Sequence, residues 1–212
     1  MLTHIPSLYR RLFGDCRGIA MVEFAYSLPV VATLALGGLE LTNLALAHLR
    51  VSQVAMTTAD NAARVPTQVD ESDINEIFSG ALIAGRAIDI GTRGRIIISS
   101  LQENGQTGSN QGQTIRWQRC RGSLSVAPSY GRQGAGATNA TLRNGMGTAP
   151  RRITAQPGTA VMFVEVTYDY ESLLTTSLFG PIRIRYETAL NVRERDQLGI
   201  TNSGNIPVNS CP

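Results

Sequence analysis

The feature that most constrains this chain is a long uncharged apolar run near its start. From Phe24 to Leu39 no residue carries a charge, and beyond Glu40 the apolar character resumes with LTNLALA. A bilayer core needs roughly 20 apolar helical residues. The run reaches that length by Ala47 if Glu40 is tolerated near the far interface. We therefore expect a membrane-spanning helix over residues 19–47.

The charges before the run predict its orientation in a membrane. Positive charge outweighs negative charge on the N-terminal side: Arg10, Arg11 and Arg17 stand against Asp15. Short loops rich in arginine stay on the cytoplasmic side of membrane segments. We therefore expect a cytoplasmic N-terminus at residues 1–18 and an outer domain at residues 67–212.

Three interpretations of the run compete: a secretory signal cut at Ala45-Leu46-Ala47, an uncut anchor, and a segment cut on the cytoplasmic side of the run. The sequence beyond Ala47 argues against the first, because residues 48–66 continue the helix in phase, as an amphipathic segment that Pro66 stops. Polar and apolar residues take opposite faces: Asn43, Arg50, Gln53, Thr57, Asp60 and Arg64 against Leu41, Leu44, Val51, Ala55, Ala59 and Ala62.

The segment RGIAMVEF, residues 17–24, resembles the processing site of type IV pilin-like proteins. In that class a prepilin peptidase cuts after a glycine, and a glutamate stands at the fifth mature position. The resemblance implies cleavage between Gly18 and Ile19, with Glu23 and Phe24 serving assembly. The fuller string RGIAMVEFAYSLPVV resembles the TadE-like proteins of the tight-adherence (Tad) pilus system, most strongly over residues 14–65.

The TadE-like resemblance implies a pseudopilin in a bacterial inner membrane that helps to assemble or initiate a pilus. Its implied partners are a prepilin peptidase, other pilins and pseudopilins, inner-membrane pilus assembly proteins and membrane lipid. The implied outer domain is periplasmic. The resemblance also implies a pilin-like architecture, a long N-terminal helix laid on an antiparallel sheet.

Glu23 has two interpretations. A carboxylate at the edge of an apolar helix is costly in a membrane unless it has a partner. Cleavage after Gly18 creates an α-amino group at Ile19, about one helical turn away, and that cation can pair with Glu23 of a neighbouring subunit. Alternatively, Glu23 contacts water or lipid headgroups at the membrane interface.

Beyond the long helix the pattern predicts an α+β domain. Acidic residues at 70–73 open a helix that Gly85 ends. Residues 95–102 and 113–120 read as a hairpin around the loop 103–112, and residues 122–157 form a long loop without a period.

Two clear strands follow, at 160–170 and 182–193, and both alternate apolar and polar residues. Such alternation is typical of an antiparallel sheet with one packed face and one wet face. We expect the apolar face of the 41–65 helix to cover the packed face.

The sequence contains no residue pattern that predicts catalysis or cofactor binding. Glu165 and Asp169 lie on the same face of a strand, which we expect to be solvated, and no histidine follows His48. No cysteine pair has metal-ligand spacing, and the glycines at 131–136 do not open a helix after a strand. Lysine is absent and the arginines are scattered, which argues against nucleic-acid binding.

We therefore expect no enzyme, no cofactor, no metal and no nucleic-acid partner. The rival interpretation is an uncut, single-pass, membrane-tethered periplasmic binding module that uses the 122–157 loop. The mature N-terminus distinguishes the two.

The expected orientation places the three cysteines on two sides of the membrane. Cys16 lies on the cytoplasmic side, where disulfides are rare, and Cys120 and Cys211 lie outside, where disulfides persist. We expect a Cys120–Cys211 disulfide that tethers the C-terminal tail. The alternative is a buried thiol at Cys120 and a disordered one at Cys211.

Overall fold

The computed structural model describes residues 18–173, 180–193, 195 and 197–212. The leader, its arginines and Cys16 fall outside the described residues, except for Gly18. The chain divides into two compact units, Met1–Asn43 and Leu44–Pro212, and each is described by itself.

Helix α1 (Ile19–Arg64) supplies the described part of the first unit and the start of the second. Among the described residues it is the one helix long and apolar enough to cross a membrane, and its most apolar 18-residue window is not buried. It ends at Arg64, just before the Val65-Pro66 pair that the sequence predicts as its stop.

Within the second unit, α1 packs its predicted apolar face into a core. Val51, Ala55 and Ala59 are completely buried, while Arg50 and Gln53 are exposed. The alanines leave room for the helix to lie close to the sheet, because their side chains end at Cβ. The same core takes in sheet residues: Ile96, Ile98, Met162, Val164 and Val166. The α+β class, with helix on antiparallel sheet, is confirmed.

The strands of the main sheet begin and end within two residues of the predicted limits: β2 (Gly94–Glu103), β3 (Gln113–Arg121), β4 (Val161–Tyr170) and β5 (Ile182–Asn191). Within the described residues their order in the sheet is β3-β2-β4-β5, and all three pairings are antiparallel. Two short strands, β1 (Val69–Asp70) and β6 (Ile200–Thr201), pair in parallel.

Helix α2 (Glu71–Ala84) begins where the acidic cluster predicts. The Asp70 carboxylate accepts from the Ser72 N–H, and the Asp73 carboxylate accepts from the Asp70 N–H at 2.8 Å, which forms a capping box. Gly85 caps the other end. A short helix α3 (Ile90–Arg93) then leads into β2.

The second face of the sheet contradicts the prediction that it is wet. The 122–157 segment folds across it and builds a second core with residues from both sides: Leu101, Ile115, Leu142, Met146, Ala155, Val161 and Phe163. The physical reason is that Val161 and Phe163 make the second face of β4 apolar, and burying that area releases free energy.

Glycines allow the long segment to lie close to its neighbours. A Cβ at Gly136 would stand 2.1 Å from the Gln113 carbonyl oxygen, and one at Gly145 would stand 1.9 Å from the Ile153 carbonyl oxygen. Both glycines have a positive φ, which other residues rarely adopt. The Gly-rich composition of this segment therefore serves tight packing.

Glu165 is the residue for which the solvated-face prediction is wrong. Its side chain is buried, because the 122–157 segment covers it. Burial raises the pKa of Glu165, while the Ser129 N–H, 3.2 Å from Oε2, and the Arg185 guanidinium, 3.0 Å away, oppose that rise. Asp169 remains partly exposed and pairs with Arg183.

Candidate processing and assembly site

The site begins at Gly18, the residue immediately before α1. Gly18 is exposed, and a Cβ added there would meet nothing within 4 Å. Its φ also lies outside the left-handed region that favours glycine. Neither packing nor backbone conformation in the described structure therefore demands a glycine at this position.

Ile19 is the first residue of α1, and Glu23 lies one turn further on. At a rise of about 1.5 Å per residue, the two are separated by roughly 6 Å along the helix axis. Glu23 is exposed, and within the described residues it forms no ion pair. Phe24 beside it is 62% exposed.

The first unit presents an almost continuous apolar surface. Its large side chains are at least 45% exposed: Ile19, Met21, Val22, Phe24, Tyr26, Leu28, Val30, Val31, Leu34, Leu36, Leu39 and Leu41. A surface of this kind marks a contact with lipid or with another protein.

Three serine and threonine hydroxyl groups within this apolar surface have partners inside the helix. Ser27 donates to the Phe24 carbonyl at 3.2 Å, and Thr33 donates to the Pro29 carbonyl at 2.7 Å. Thr42 donates in the same way to the Gly38 carbonyl. A polar group in lipid is costly unless it is hydrogen-bonded, and these contacts remove most of that cost.

In the second unit the structure joins Cys120 and Cys211 by a disulfide, with 5.0 Å between the two Cα atoms. The tail before Cys211 is held in register, because the Cys120 N–H donates to the Asn209 carbonyl at 2.8 Å. Asn209 also donates from its side chain to Asn75 Oδ1 of α2. The C-terminal tail is therefore tied to both β3 and α2.

Sequence reasoning missed a polar cluster under the 122–157 segment. The Tyr130 hydroxyl donates to the Glu187 carboxylate at 2.8 Å, and Arg185 pairs with both Glu187 and Glu165. The signal that could have revealed it was Phe163, an aromatic residue on a face that was expected to be wet. Among the described residues no group of histidine, cysteine, aspartate and glutamate could hold a metal ion.

Comparison with known proteins places the N-terminal part of the chain in a family context. Neither a curated protein nor a solved structure matches the chain. The family model described as "TadE-like protein" matches residues 18–64, which contain Gly18, Glu23 and the whole of α1. The resemblance that the sequence predicts is therefore confirmed over residues 18–64, where this chain is similar to the TadE-like family.

Proposed function

We propose that this chain is a membrane-anchored pseudopilin that takes part in assembling a Tad-type pilus at a bacterial inner membrane. The observation that carries the proposal is the arrangement at the start of α1. An exposed glycine precedes an exposed apolar helix, which bears Glu23 one turn from its first residue. This arrangement lies inside the TadE-like segment.

The first step in this function is cleavage between Gly18 and Ile19 by a prepilin peptidase. A peptidase must reach the bond that it cuts, and both residues are exposed. Since the structure does not demand a glycine at 18, recognition by the peptidase gives that residue a role. Cleavage would leave Ile19 as a charged terminus at the first residue of the helix.

The second step is assembly through Glu23. A carboxylate in or beside lipid is costly when it has no partner. In an assembly of parallel helices, the Ile19 amino group of one subunit neutralises Glu23 of the next, because about one turn separates the two positions. Phe24 and the neighbouring apolar side chains supply the packing surface between subunits.

The disulfide supports an outer domain in the periplasm. Disulfides persist in oxidising compartments, which include the bacterial periplasm, and are rare in the cytosol. Cys120 and Cys211 both lie in the second unit, and their bond supports the proposal that residues 67–212 take the periplasmic side. The arginine bias before the helix favours the same orientation.

Replacing Glu23 by alanine tests the assembly role. We expect fewer pili with an unchanged amount of protein in the membrane, because removing the carboxylate makes the helix more apolar without disturbing the second unit. Glu76→Ala is the matched control, since Glu76 is an exposed carboxylate on α2. Normal pilus numbers in Glu23→Ala cells would contradict the assembly role.

A second measurement asks where the protein resides. Pili sheared from cells and the remaining membranes are probed separately for the chain. Recovery from the sheared fraction indicates incorporation into the pilus, and recovery from membranes alone indicates a scaffold at its base. Pilus production that is unchanged in cells lacking the chain would contradict both roles.

A further inference from the structure

A cavity of about 420 Å³ opens at one end of the four-stranded sheet, where β2 begins and β3 ends. Both strands and both short-range neighbours contribute to its lining, which includes Leu82 of α2, Gly91 of α3, Arg95 of β2, Arg121 of β3 and Asn209 of the C-terminal tail. All of these residues belong to the second unit. The cavity is therefore a feature of one compact body.

Hydrogen bonds hold the walls of this cavity in place. After β3 the chain turns at Gly122, whose φ is positive, and the Ser123 N–H then donates to the Gly91 carbonyl at 2.8 Å. A Cβ at Gly122 would stand 2.2 Å from the Gly94 carbonyl oxygen, so this turn requires glycine. Asn209 is held by hydrogen bonds to β3 and to α2. The lining is therefore fixed from several elements at once.

The charge of the lining is positive. It contains the guanidinium groups of Arg95 and Arg121, and no carboxylate lines the cavity in the part of the chain that the structure describes. Neither arginine forms an ion pair within the described residues. Burial lowers the pKa of Arg95, and its buried Nε has no hydrogen-bond partner among those residues. A partly buried charge without a counter-charge is costly, so an anion in the cavity would remove part of that cost.

Both arginines also keep donors for a ligand. Arg95 Nη1 donates to the Gly122 carbonyl at 2.8 Å, and Arg121 Nη1 donates to Asn209 Oδ1 at 3.1 Å. The Nη2 group of each arginine has no partner within the described ranges. Guanidinium groups match phosphate oxygens in geometry and charge. A phosphomonoester carries about −1.5 to −2 charges at pH 7, which balances two arginines better than one carboxylate does.

We propose that this cavity binds phosphate, either as the free ion or as the phosphoryl group of a small phosphomonoester. Arg95 and Arg121 supply the positive charge and the charged hydrogen bonds. The hydroxyl of Ser123, which also lines the cavity, supplies a further donor. The site goes beyond pilus assembly and does not use Gly18 or Glu23, so each proposal can fail without the other.

Thermal unfolding of the full chain in nonionic detergent tests the site, with sodium phosphate exchanged for sodium chloride at constant ionic strength. A ligand that binds only the folded state raises the melting temperature. We expect Arg121→Gln to weaken the apparent phosphate affinity about tenfold or more, because it removes a charged hydrogen bond. Arg116→Gln is the matched control and should respond as the parent does, since Arg116 is exposed on the same strand and does not line the cavity.

The comparison between variants also removes the general effect of phosphate. Phosphate strengthens apolar burial in any protein because it is excluded from protein surfaces. That effect is the same in the parent and in Arg121→Gln. Equal phosphate responses in these two chains would therefore overturn the proposal.

A second variant places negative charge in the cavity without removing an arginine. Ser123 is exposed, so Ser123→Glu should leave the melting temperature in chloride unchanged. Its carboxylate should neutralise the arginines and abolish the phosphate response. A full phosphate response in Ser123→Glu would overturn the proposal.

Two further probes establish the class of ligand. Sodium acetate should raise the melting temperature less than phosphate at equal ionic strength, and an equal rise would overturn the assignment to phosphate. Glycerol 3-phosphate represents a carried phosphoryl group. Tighter binding of glycerol 3-phosphate than of inorganic phosphate, lost in Arg121→Gln, would support a phosphomonoester as the ligand. The reverse order, with the same loss, would support free phosphate.

Discussion

Cys211, the penultimate residue, is bonded to Cys120 at the end of β3, across a separation of 91 residues. Three further contacts hold the intervening tail. The β6 strand pairs with β1, the Ser203 N–H donates to Asp70 at 2.8 Å, and the Asn209 side chain reaches α2. The bond therefore locks a tail that local hydrogen bonds have already placed.

Removing this disulfide should destabilise the outer domain. In the chain-entropy model a closed loop of this length contributes about 4–5 kcal/mol to the free energy of unfolding, an upper figure. We expect Cys120→Ser/Cys211→Ser to lower the melting temperature and to expose the tail to proteolysis. Cys16→Ser, measured in the uncut chain, is the matched control, and an equal loss of stability in that variant would contradict the tethering role.

The buried pair between Arg119 and Glu71 offers a second test. Arg119 Nε donates to the Glu71 carboxylate at 2.8 Å and joins β3 to the first turn of α2, with both side chains at most 9% exposed. Breaking a buried pair by removing one partner costs about 3–5 kcal/mol, because the other charge stays buried. We expect that loss of unfolding free energy for Arg119→Gln, measured by denaturant unfolding.

Arg183→Gln is the control for that measurement, because Arg183 forms an exposed pair with Asp169. Exposed pairs contribute about 0–1 kcal/mol. If the two variants lost equal stability, the buried pair would have no special structural role.

The buried carboxyl of Glu165 predicts a pH dependence. Its pKa is raised by burial, so the folded state binds this proton more tightly than the unfolded state does. Protonated Glu165 stabilises the fold below the ordinary pKa of the carboxyl. This stabilisation is lost as pH rises through the pKa of Glu165 in the folded state. The neutral Glu165→Gln variant should therefore gain melting temperature relative to the parent as pH rises above the ordinary carboxyl pKa of 4.5.

Asp169→Asn should show the opposite trend. The hydrogen bond from Arg183 lowers the pKa of Asp169, so its contribution is present above the ordinary pKa and is lost as pH falls. This variant should lose melting temperature relative to the parent as pH rises. If the melting temperatures of Glu165→Gln and Asp169→Asn changed with pH in the same way, the opposite pKa shifts of Glu165 and Asp169 would be contradicted.

The second core predicts that the 122–157 segment is structured. Met146 is fully buried in it, and truncating a buried methionine to alanine costs about 2–5 kcal/mol. We expect Met146→Ala to speed amide exchange across this segment while α2 stays protected. Ile153→Ala is the control, since Ile153 is 38% exposed. Unchanged exchange in Met146→Ala would mean that the segment does not depend on this core.

The sequence predicted secondary structure best where apolar residues recur at a regular spacing. The packed face of α1 and the limits of β4 and β5 follow from spacing alone, and the structure confirms those limits within two residues at each end. The start of α2 was equally readable, because Asp70 and Asp73 form a capping box whose geometry is local.

The second core could not be predicted in the same way. Its anchors in the long segment, among them Leu142 and Met146, stand singly among glycines and polar residues, so no period reveals which face they cover. Because the sequence does not show that the 122–157 segment covers this face, it predicts that the Glu165 carboxylate is solvated. The position of β5 at an edge of the sheet was also hidden, because strand order is a property of the whole sheet.

The mature N-terminus tests the central claim most directly. Mass spectrometry of the chain purified from membranes should find Ile19 as the first residue and a mature chain of 194 residues, which is 212 minus 18. A strain lacking its prepilin peptidase should retain the leader. An intact Met1 would contradict the pseudopilin account and support an uncut anchor, and a terminus at His48 would instead indicate a secretory signal.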